Sequence, residues 1–367
     1  MRNNYLFIGW WILLGFLLIG NLSFAQKRHL SRFPRAKNII LMIGDGMGTA
    51  HVFAAYTAQK GQLHMMTFPV TGFSLTQSAS HYITDSGAGG TALATGQRTY
   101  NGAISVDVNK QPLTTILEIA KKNGLATGIV VSCAVTHATP ATFYAHQSSR
   151  AQDEDIAADL LKTQPDVVIG GGYKFFSQRK DQRNLVEELK QKGYQVVDST
   201  ADLSSFQKGK LIALVAQGHP AEVSGGRGNF LSKGVQTALN VLSQNKKGFF
   251  LMVEGSQIDW AGHENDLQYL VQETIDFDKA VGVALDFARK DGKTLVIVTA
   301  DHETGGLAIT NGDIAQGNIE AKFNTKDHTA VMVPVFAYGP GAEAFTGVQL
   351  NTDIFHKMLR AYRFNLP

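Results

Sequence analysis

Short apolar runs rich in β-branched residues alternate with amphipathic segments along most of the chain. Most of these runs are continuous rather than alternating in polarity, as expected for strands covered on both faces of a sheet. The pattern predicts an α/β fold with a large, mostly parallel, doubly wound sheet flanked by helices. The predicted strands are 38–44, 125–132, 166–171, 194–197, 211–216, 248–255, 294–301 and 330–339. The predicted helices are 86–95, 112–124, 153–163, 232–244, 265–290 and 352–362.

Composition and charge exclude several classes of protein. The 367 residues carry 34 basic and 31 acidic side chains, a formal net charge of +3. No basic run is interleaved with aromatic residues, so nucleic-acid-specific binding is not expected. The single cysteine, Cys133, excludes an internal disulfide and a zinc site built from several cysteines. Its setting in "GIVVSCAV" indicates a buried residue that packs like a small apolar side chain.

The first 25 residues differ from the rest of the chain. Arg2 precedes an almost uninterrupted apolar run over 6–19, which is short for a bilayer span of roughly 20 residues. The sequence "SFA" at 23–25 then has the small-x-small pattern of a cleavage site. We therefore predict a signal peptide over 1–25 and a single domain over 26–367, with an uncleaved anchor as the alternative. The protein is expected to be exported, periplasmic or secreted, with no stable membrane insertion after cleavage.

Three of the predicted strands end at acidic residues. Asp45 follows "NIILMIG", Glu254 lies in "GFFLMVEG", and Asp301 and His302 follow "TLVIVTA". In open parallel sheets, ligands bind at the carboxyl ends of the strands, so a shared sheet would bring these residues together. Crowded carboxylates repel one another and raise one another's pKa unless cations neutralise them. The combination of aspartate and histidine therefore indicates divalent metal ions.

Two further segments add candidate residues. Asp259 and His263 in "VEGSQIDWAGH" would share one face of a helix, although this spacing also occurs often by chance. Ser86 follows Asp85 in "ITDSGAGGTALATG" and would lie at a helix N-terminus, where free N–H groups favour phosphate oxygens. Alone, the motif is better read as a capping serine. Beside a metal cluster, Ser86 becomes a candidate nucleophile because metal coordination activates a hydroxyl.

Six motifs then occur in a fixed order along the chain. They are "GDGMG", "TDSGAGGTALATG", "THATPATFYAHQSSR", "VEGSQIDWAGH", "TADHETGG" and "DHTAVMVPVFAYGP". This set resembles the bacterial alkaline phosphatases over nearly all of the chain after the signal peptide. The resemblance implies hydrolysis of phosphate monoesters to an alcohol and inorganic phosphate, through a phosphoserine and with an alkaline pH optimum. It also implies two zinc ions and one magnesium ion per subunit, and a homodimer.

The resemblance assigns roles residue by residue. Ser86 matches the serine that becomes phosphorylated, and Arg150 matches the arginine whose guanidinium fork binds the phosphate. The residues that match ligands of the first zinc are Asp259, His263 and His328. Those that match ligands of the second zinc are Asp45, Asp301 and His302. Those that match the magnesium site are Asp45, Thr139 and Glu254. Thr139 and Arg150 are supplied by the resemblance alone.

Two positions depart from one well-known branch of the family. His137 stands where that branch has an aspartate, and Trp260 where it has a lysine. With Asp85, both are expected near the phosphate and the third metal, so the preference of that site for magnesium is open. Simple packing is the alternative interpretation of Trp260. The segment 303–327 is short for this family, so any crown-like excursion from the sheet is expected to be reduced.

Other functions remain as alternatives at this point. Related phosphodiesterases of the wider superfamily usually have threonine at the nucleophile position, whereas this chain has Ser86. Sulfatases of the superfamily need a Cys/Ser-x-Pro-x-Arg motif, which "TDSGAGGT" lacks. A catalytically silent, exported metal- or phosphate-binding protein is the alternative from another class. The intact Ser86, Arg150 and ligand set disfavour it.

Overall fold

Strands of the described part of the chain form one large sheet and two small ones. The computed structural model describes residues 35–199, 203 and 206–364, and the predicted signal peptide lies outside them. The strands are β1 (Asn38–Gly44), β2 (Val70–Leu75), β3 (Ala126–Ala134), β4 (Val167–Gly171), β5 (Tyr194–Val197), β6 (Lys210–Leu214), β7 (Phe249–Gly255), β8 (Thr294–Thr299), β9 (Glu303–Thr304), β10 (Ala308–Asp313), β11 (Asn318–Lys322), β12 (His328–Thr329), β13 (Val333–Tyr338) and β14 (Gly347–Leu350).

The large sheet has ten strands in the order β14-β2-β13-β8-β1-β7-β3-β4-β6-β5. Strand β13 runs antiparallel to both of its neighbours, β2 and β8. The remaining pairings in this sheet are parallel. The sheet therefore confirms the predicted doubly wound, mostly parallel α/β class.

Strand β1 shows why the apolar runs are continuous. Its seven residues are all buried. Ile39, Leu41 and Ile43 pack into the apolar cluster on one face of the sheet. Ile40 and Met42 pack into the cluster on the other face. Because successive side chains of a strand point to opposite faces, a sheet covered by helices on both sides needs apolar residues at every position.

Helices cover both faces of the sheet. They are α1 (Thr49–Ala58), α2 (Ser86–Thr95), α3 (Ile116–Lys122), α4 (Ala138–Ala141), α5 (Asp153–Thr163), α6 (Tyr173–Ser177), α7 (Leu185–Gln191), α8 (Phe230–Leu242), α9 (Gln257–Glu264), α10 (Leu267–Asp291) and α11 (Asn351–Tyr362). Within the described ranges, no helix is both long enough and apolar enough to span a membrane.

Helix boundaries differ from the predictions where capping decides them. The helix predicted over 112–124 begins only at Ile116, because Thr115 and Glu118 form a reciprocal capping box.

Helix α1 was not predicted, since "TAHVFAAYTA" contains no charged residue to mark a polar face. Strands β2 and β14 were also missed; β14 is a short edge strand and β2 is only partly buried.

Between strands β8 and β13 the chain leaves the large sheet. Strands β10 and β11 form an antiparallel hairpin there, and most of its residues are exposed. Strands β9 and β12 pair antiparallel, with His328 opposite Thr304. This short pairing returns His328 to the carboxyl end of the sheet.

Candidate active site

Acidic residues meet at the carboxyl ends of the central strands. Strand β1 pairs in parallel with β7 and β8, so Ile43 lies opposite both Glu254 and Thr299. Asp45 and Asp301 come directly after this row, and the backbone N–H of Gly46 donates to Asp301 Oδ1 at 3.2 Å. The three carboxylates predicted from the strand ends are therefore neighbours.

Gly46 makes the close approach of these segments possible. Its φ is +68°, a left-handed conformation that favours glycine. A Cβ atom at this position would lie 2.6 Å from Thr304 Oγ1 and 2.9 Å from Asp259 Cα. The "GDG" turn thus brings two separate parts of the chain against Asp45.

The inner group of candidate metal ligands consists of Asp45, Asp301 and His302. Each offers one donor atom, and these atoms lie within 4.8 Å of one another. All three residues are at most 1% exposed. Burial, together with repulsion from Asp301, Asp259 and Glu254, raises the pKa of Asp45 well above its usual range.

One oxygen of each carboxylate in the inner group lacks a hydrogen-bond partner. Asp45 Oδ1 and Asp301 Oδ2 are buried and accept no hydrogen bond. His302 Nε2 lies 3.4 Å from each of them without hydrogen-bonding geometry. Unpaired buried oxygens of this kind are costly unless a cation compensates them. The inner group therefore fits a divalent metal ion.

The outer group consists of Asp259, His263 and His328. Helix α9 puts Asp259 and His263 on one face, with Asp259 Oδ1 3.3 Å from His263 Nε2. His328 Nε2 lies 3.5 Å from the same oxygen and 3.1 Å from His263 Nε2. The Nδ1 atoms of both rings contact backbone carbonyls, those of Lys326 and Thr84. These contacts hold both Nε2 atoms toward Asp259.

Charge is balanced within the outer group. Burial alone would raise the pKa of Asp259, but hydrogen bonds from His263 and His328 hold it well below its usual range. The hydrogen bond to Asp259 in turn raises the pKa of His263 to about 9. The His263 side chain is 38% exposed and that of His328 is 14% exposed. Solvent therefore reaches the outer group.

His302 connects the two groups to the candidate nucleophile. Asp259, His302 and His328 also present donor atoms within 4.8 Å of one another. The rings of His302 and His328 stack with centroids 3.6 Å apart. Ser86 Oγ lies 3.3 Å from His302 Nε2. The hydroxyl of Ser86 is thus at the junction of the inner and outer groups.

Ser86 is the first residue of helix α2, as its sequence setting predicted. The capping residue is Asp85, which accepts hydrogen bonds from the backbone N–H groups of Ala88 at 3.0 Å and Gly102 at 2.9 Å. Arg150 Nη1 also donates to Asp85 Oδ2, at 2.9 Å. Burial alone would raise the pKa of Asp85, but the Ala88 N–H and Arg150 hold it below its usual value. Asp85 thus stays ionised and orients Arg150 beside Ser86.

Thr139 and Glu254 lie on the other side of Asp45. Thr139 Oγ1 donates to Asp45 Oδ2 at 3.3 Å. Glu254 is fully buried, and its Oε1 has no hydrogen-bond partner. Burial raises the pKa of Glu254 to about 8. Oxygen donors from these three side chains fit a hard cation such as magnesium.

His137 and Trp260 lie close together, with ring centroids 6.0 Å apart. His137 Nε2 is 3.2 Å from Arg150 Nη2. Burial, with the charges of Arg150 and His219, lowers the pKa of His137 to about 3, so this ring is neutral. Trp260 is partly buried against the apolar core, in line with the packing interpretation.

His219 also lies at this site, although nothing in the sequence analysis singled it out. Its ring packs edge-on against Trp260 at 4.7 Å between centroids, and its Nδ1 accepts from the N–H of Ala134 at 3.0 Å. The available sequence signal was its position just after strand β6, at the carboxyl end where the other site residues lie.

Comparison with known proteins identifies the family. The profile of the family described as alkaline phosphatase matches residues 36–322 and 313–364 of this chain. The chain belongs to the alkaline phosphatase family.

Individual relatives agree along most of their length. Alkaline phosphatase 4 of Bacillus subtilis is 37% identical, over 88% of this chain and 89% of its own. The alkaline phosphatase of Escherichia coli K12 is 34% identical, over 94% of this chain and 89% of its own. A mutant of the alkaline phosphatase from the Antarctic bacterium TAB5, solved with magnesium in its M3 site, has a TM-score of 0.88 and 40% identity. That comparison covers 91% of this chain and 100% of the TAB5 chain. This member of the alkaline phosphatase family is therefore an enzyme with the predicted fold.

Proposed function

We propose that this protein hydrolyses phosphate monoesters to an alcohol and inorganic phosphate through a phosphoserine on Ser86. The proposal includes two zinc ions and one magnesium ion per subunit and an alkaline pH optimum. One observation carries it: Ser86 Oγ lies 3.3 Å from His302 Nε2, and His302 belongs to the inner group while its donor atom also lies within 4.8 Å of donor atoms of Asp259 and His328 in the outer group. Membership of the alkaline phosphatase family supports the hydrolysis of monoesters.

The candidate ligands divide into three sets. The outer group would hold one zinc ion and the inner group the other, while Asp45, Thr139 and Glu254 would hold magnesium. Buried oxygens of Asp45, Asp301 and Glu254 without hydrogen-bond partners support this assignment. When bound, these ions neutralise the crowded carboxylates and polarise the phosphoryl and hydroxyl oxygens as Lewis acids.

Ser86 acts as the nucleophile in the first step. Its Oγ forms a bond to phosphorus as the bond from phosphorus to the ester oxygen breaks, and the Ser86 proton is lost. The leaving alcohol gains a proton. Because Ser86 begins helix α2, backbone N–H groups at this helix end stabilise the negative charge on the phosphoryl oxygens.

Arg150 binds and orients the phosphoryl group. Its guanidinium is held by Asp85 at 2.9 Å and by His137 at 3.2 Å, and its side chain is 32% exposed. It can therefore reach substrate while its orientation is fixed, and its planar fork suits two phosphoryl oxygens. In the second step water attacks phosphorus and gives up a proton, the bond from phosphorus to Ser86 Oγ breaks, Oγ takes up a proton again, and inorganic phosphate leaves.

Export and assembly complete the proposal. We expect the protein to be exported to the periplasm or the medium, with residues 1–25 removed and 26–367 acting as one catalytic domain. We expect it to form a homodimer. The charged, apolar and small-residue regions of the first 25 residues support export.

A comparison of three substrates tests the proposed activity. The protein loaded with zinc and magnesium should hydrolyse p-nitrophenyl phosphate much faster than a bis-p-nitrophenyl ester or a p-nitrophenyl sulfate. Ser86→Ala should lose at least about 10³-fold in kcat/KM for the monoester and yield no trappable phosphoenzyme. The matched control is Ser243→Ala, an exposed serine at the C-terminal end of helix α8, next to the amino end of β7.

Each alternative has its own result in this assay. Faster turnover of the diester would identify a phosphodiesterase, and faster turnover of the sulfate ester a sulfatase. Tight binding of phosphate without turnover of any substrate would indicate a silent binding protein. Undiminished monoester turnover by Ser86→Ala would contradict the role of the nucleophile.

A further inference from the structure

Cys133 lies beside the candidate magnesium ligands. It is fully buried, as predicted, near the end of strand β3, and its Sγ is 3.6 Å from Glu254 Oε2. Cys133, His137 and Glu254 each present one donor atom, and these atoms lie within 4.8 Å of one another. The group combines sulfur, nitrogen and oxygen donors at a position where the assigned magnesium set has oxygen alone.

Buried atoms of this group lack hydrogen-bond partners. Glu254 is fully buried and its Oε1 has no hydrogen-bond partner. His137 contacts Arg150 through Nε2, whereas its Nδ1 is buried and has no partner. The thiol itself has only weak partners, Glu254 Oε2 and the carbonyl oxygen of Ala134, the latter 3.1 Å away. A cation would satisfy atoms from all three side chains.

The donor set selects the kind of cation. Magnesium prefers oxygen ligands in an octahedral arrangement, whereas a thiolate with an imidazole and one carboxylate suits zinc or cobalt. Zinc bonds are about 2.3 Å to sulfur and about 2.1 Å to nitrogen, so the present donor spacing needs only a small contraction around one ion. We propose that Cys133, His137 and Glu254 form a thiolate-containing site for zinc or a similar divalent cation.

This site changes the identity of the third metal. It shares Glu254 with the assigned magnesium set, so it rests on that part of the proposed function. One carboxylate in this arrangement cannot serve both sites fully, so magnesium and the softer ion compete. Binding converts the thiol to a thiolate and releases its proton to solvent. High zinc therefore displaces magnesium from Glu254 in this chain.

Cobalt spectroscopy provides a direct test. Cys133 is the only cysteine of the chain, so any thiolate-to-cobalt charge-transfer band must come from it. The full-length metal-free protein is titrated with Co²⁺ while near-ultraviolet absorbance and bound metal per chain are measured. We expect a charge-transfer band whose final intensity corresponds to one thiolate-bound Co²⁺ per chain and which persists in excess magnesium. Its absence at full cobalt occupancy of the wild-type protein overturns the proposal.

Variants separate this site from the two zinc groups. Cys133→Ser should lose the charge-transfer band and bind one Co²⁺ fewer than the wild type, while the visible bands of cobalt in the inner and outer groups remain. Glu254→Gln should weaken the cobalt affinity read from the charge-transfer band at least about tenfold. Unchanged affinity in this variant contradicts a role for Glu254. Circular dichroism of each variant verifies folding.

The result is independent of the phosphatase assay. A charge-transfer band in a protein that does not hydrolyse the monoester would support this site and contradict the proposed function. Hydrolysis by the protein loaded with zinc and magnesium, without any charge-transfer band in the cobalt protein, would keep the function and reject this site.

Discussion

The inner and outer groups of ligands use similar residue types in opposite electrostatic settings. In the inner group, Asp45 and Asp301 are buried beside a histidine whose pKa is lowered by burial, so this histidine does not balance their charge. In the outer group, Asp259 is hydrogen-bonded to two histidines, and burial is incomplete. The inner group therefore depends on a cation for its charge balance, whereas the outer group balances itself.

This difference in charge balance follows from the helices and strands that carry each group. Asp45 and Asp301 extend from neighbouring central strands, which are buried on both faces. His263 comes from helix α9 and His328 from the two-residue strand β12, near solvent. In the proposed mechanism, the buried setting would fix the position of Ser86, and the more exposed setting would admit water and let the alcohol leave. We expect substitutions in the two groups to have effects of different size on activity and effects of opposite sign on stability.

The largest expected effect is on activity. Asp301→Asn should lower kcat/KM for p-nitrophenyl phosphate about 10³-fold, because the inner ion is worth several kcal/mol in the transition state. The amide keeps an oxygen for the Gly46 N–H, so the loss reflects metal binding rather than folding. His328→Gln should cost about 30-fold, since water can occupy a ligand position at this exposed side. Steady-state kinetics with bound zinc per chain checks both values.

The control for this comparison is Asp286→Asn on helix α10, whose side chain is 64% exposed. It should leave kinetics and metal content unchanged. A loss of kcat/KM from His328→Gln equal to or larger than that from Asp301→Asn would contradict the inference that the inner group depends more strongly on its cation.

The second effect concerns stability and changes sign between the groups. In the protein stripped of metal by a chelator, Asp45→Asn should raise Tm by about 2 °C, because it removes a buried charge among other carboxylates. Asp259→Asn should lower Tm by a similar amount, because it removes the negative charge that pairs with two histidines. Thermal unfolding with and without zinc checks this. With zinc bound, the Tm of Asp45→Asn should lie below that of the wild type. The same sign in both chelated variants would contradict the electrostatic contrast.

The pH dependence of the chelated protein sharpens this prediction. Glu254 has its pKa raised to about 8 by burial, above its value of roughly 4.3 in an unfolded chain. The folded protein therefore binds more protons at Glu254 between these values. The contribution of Glu254 to stability is full below about pH 4 and declines as pH rises toward 8. We expect a loss of about 1 kcal/mol per pH unit in urea unfolding between about pH 5 and pH 8. Glu254→Gln should reduce this dependence of the free energy of unfolding on pH. An unchanged dependence in the variant would contradict the assignment to Glu254.

The strands of the sheet centre and the acids at their ends could be read from the sequence, whereas the order of the strands could not. Parallel sheets gather the carboxyl ends of their strands at one edge, so acids at those ends could be expected to meet. The long apolar runs of β1, β7 and β8 marked both the core and the places where Asp45, Glu254 and Asp301 would meet. The pairing of Asp259 with His263 followed from helical spacing once α9 was assumed.

Residues that act through tertiary contacts could not be found this way. His219 reaches Trp260 from a loop after a peripheral strand, and nothing in its local sequence marks that contact. Thr139 and Arg150 came from family resemblance, since a threonine in a four-residue helix and an arginine in a turn have no periodic pattern. Cys133 looked like an apolar core residue, and only the pairing of β3 with β7 puts its thiol beside Glu254.

The smallest expected effect involves Arg150, which belongs to neither group. Its contacts are with Asp85 and His137, so Arg150→Ala should leave zinc content and the Tm of the chelated protein near those of the wild type. It should weaken inhibition by inorganic phosphate about 10- to 100-fold, the value of one or two charge-assisted hydrogen bonds. Turnover of a monoester with a good leaving group should fall less than this. Arg150→Lys is the matched control: it keeps the charge but not the fork, and should recover only part of the phosphate affinity. If Arg150→Ala instead released zinc, the guanidinium would be supporting the ligand groups through Asp85, and the separation between phosphate binding and cation binding would fail.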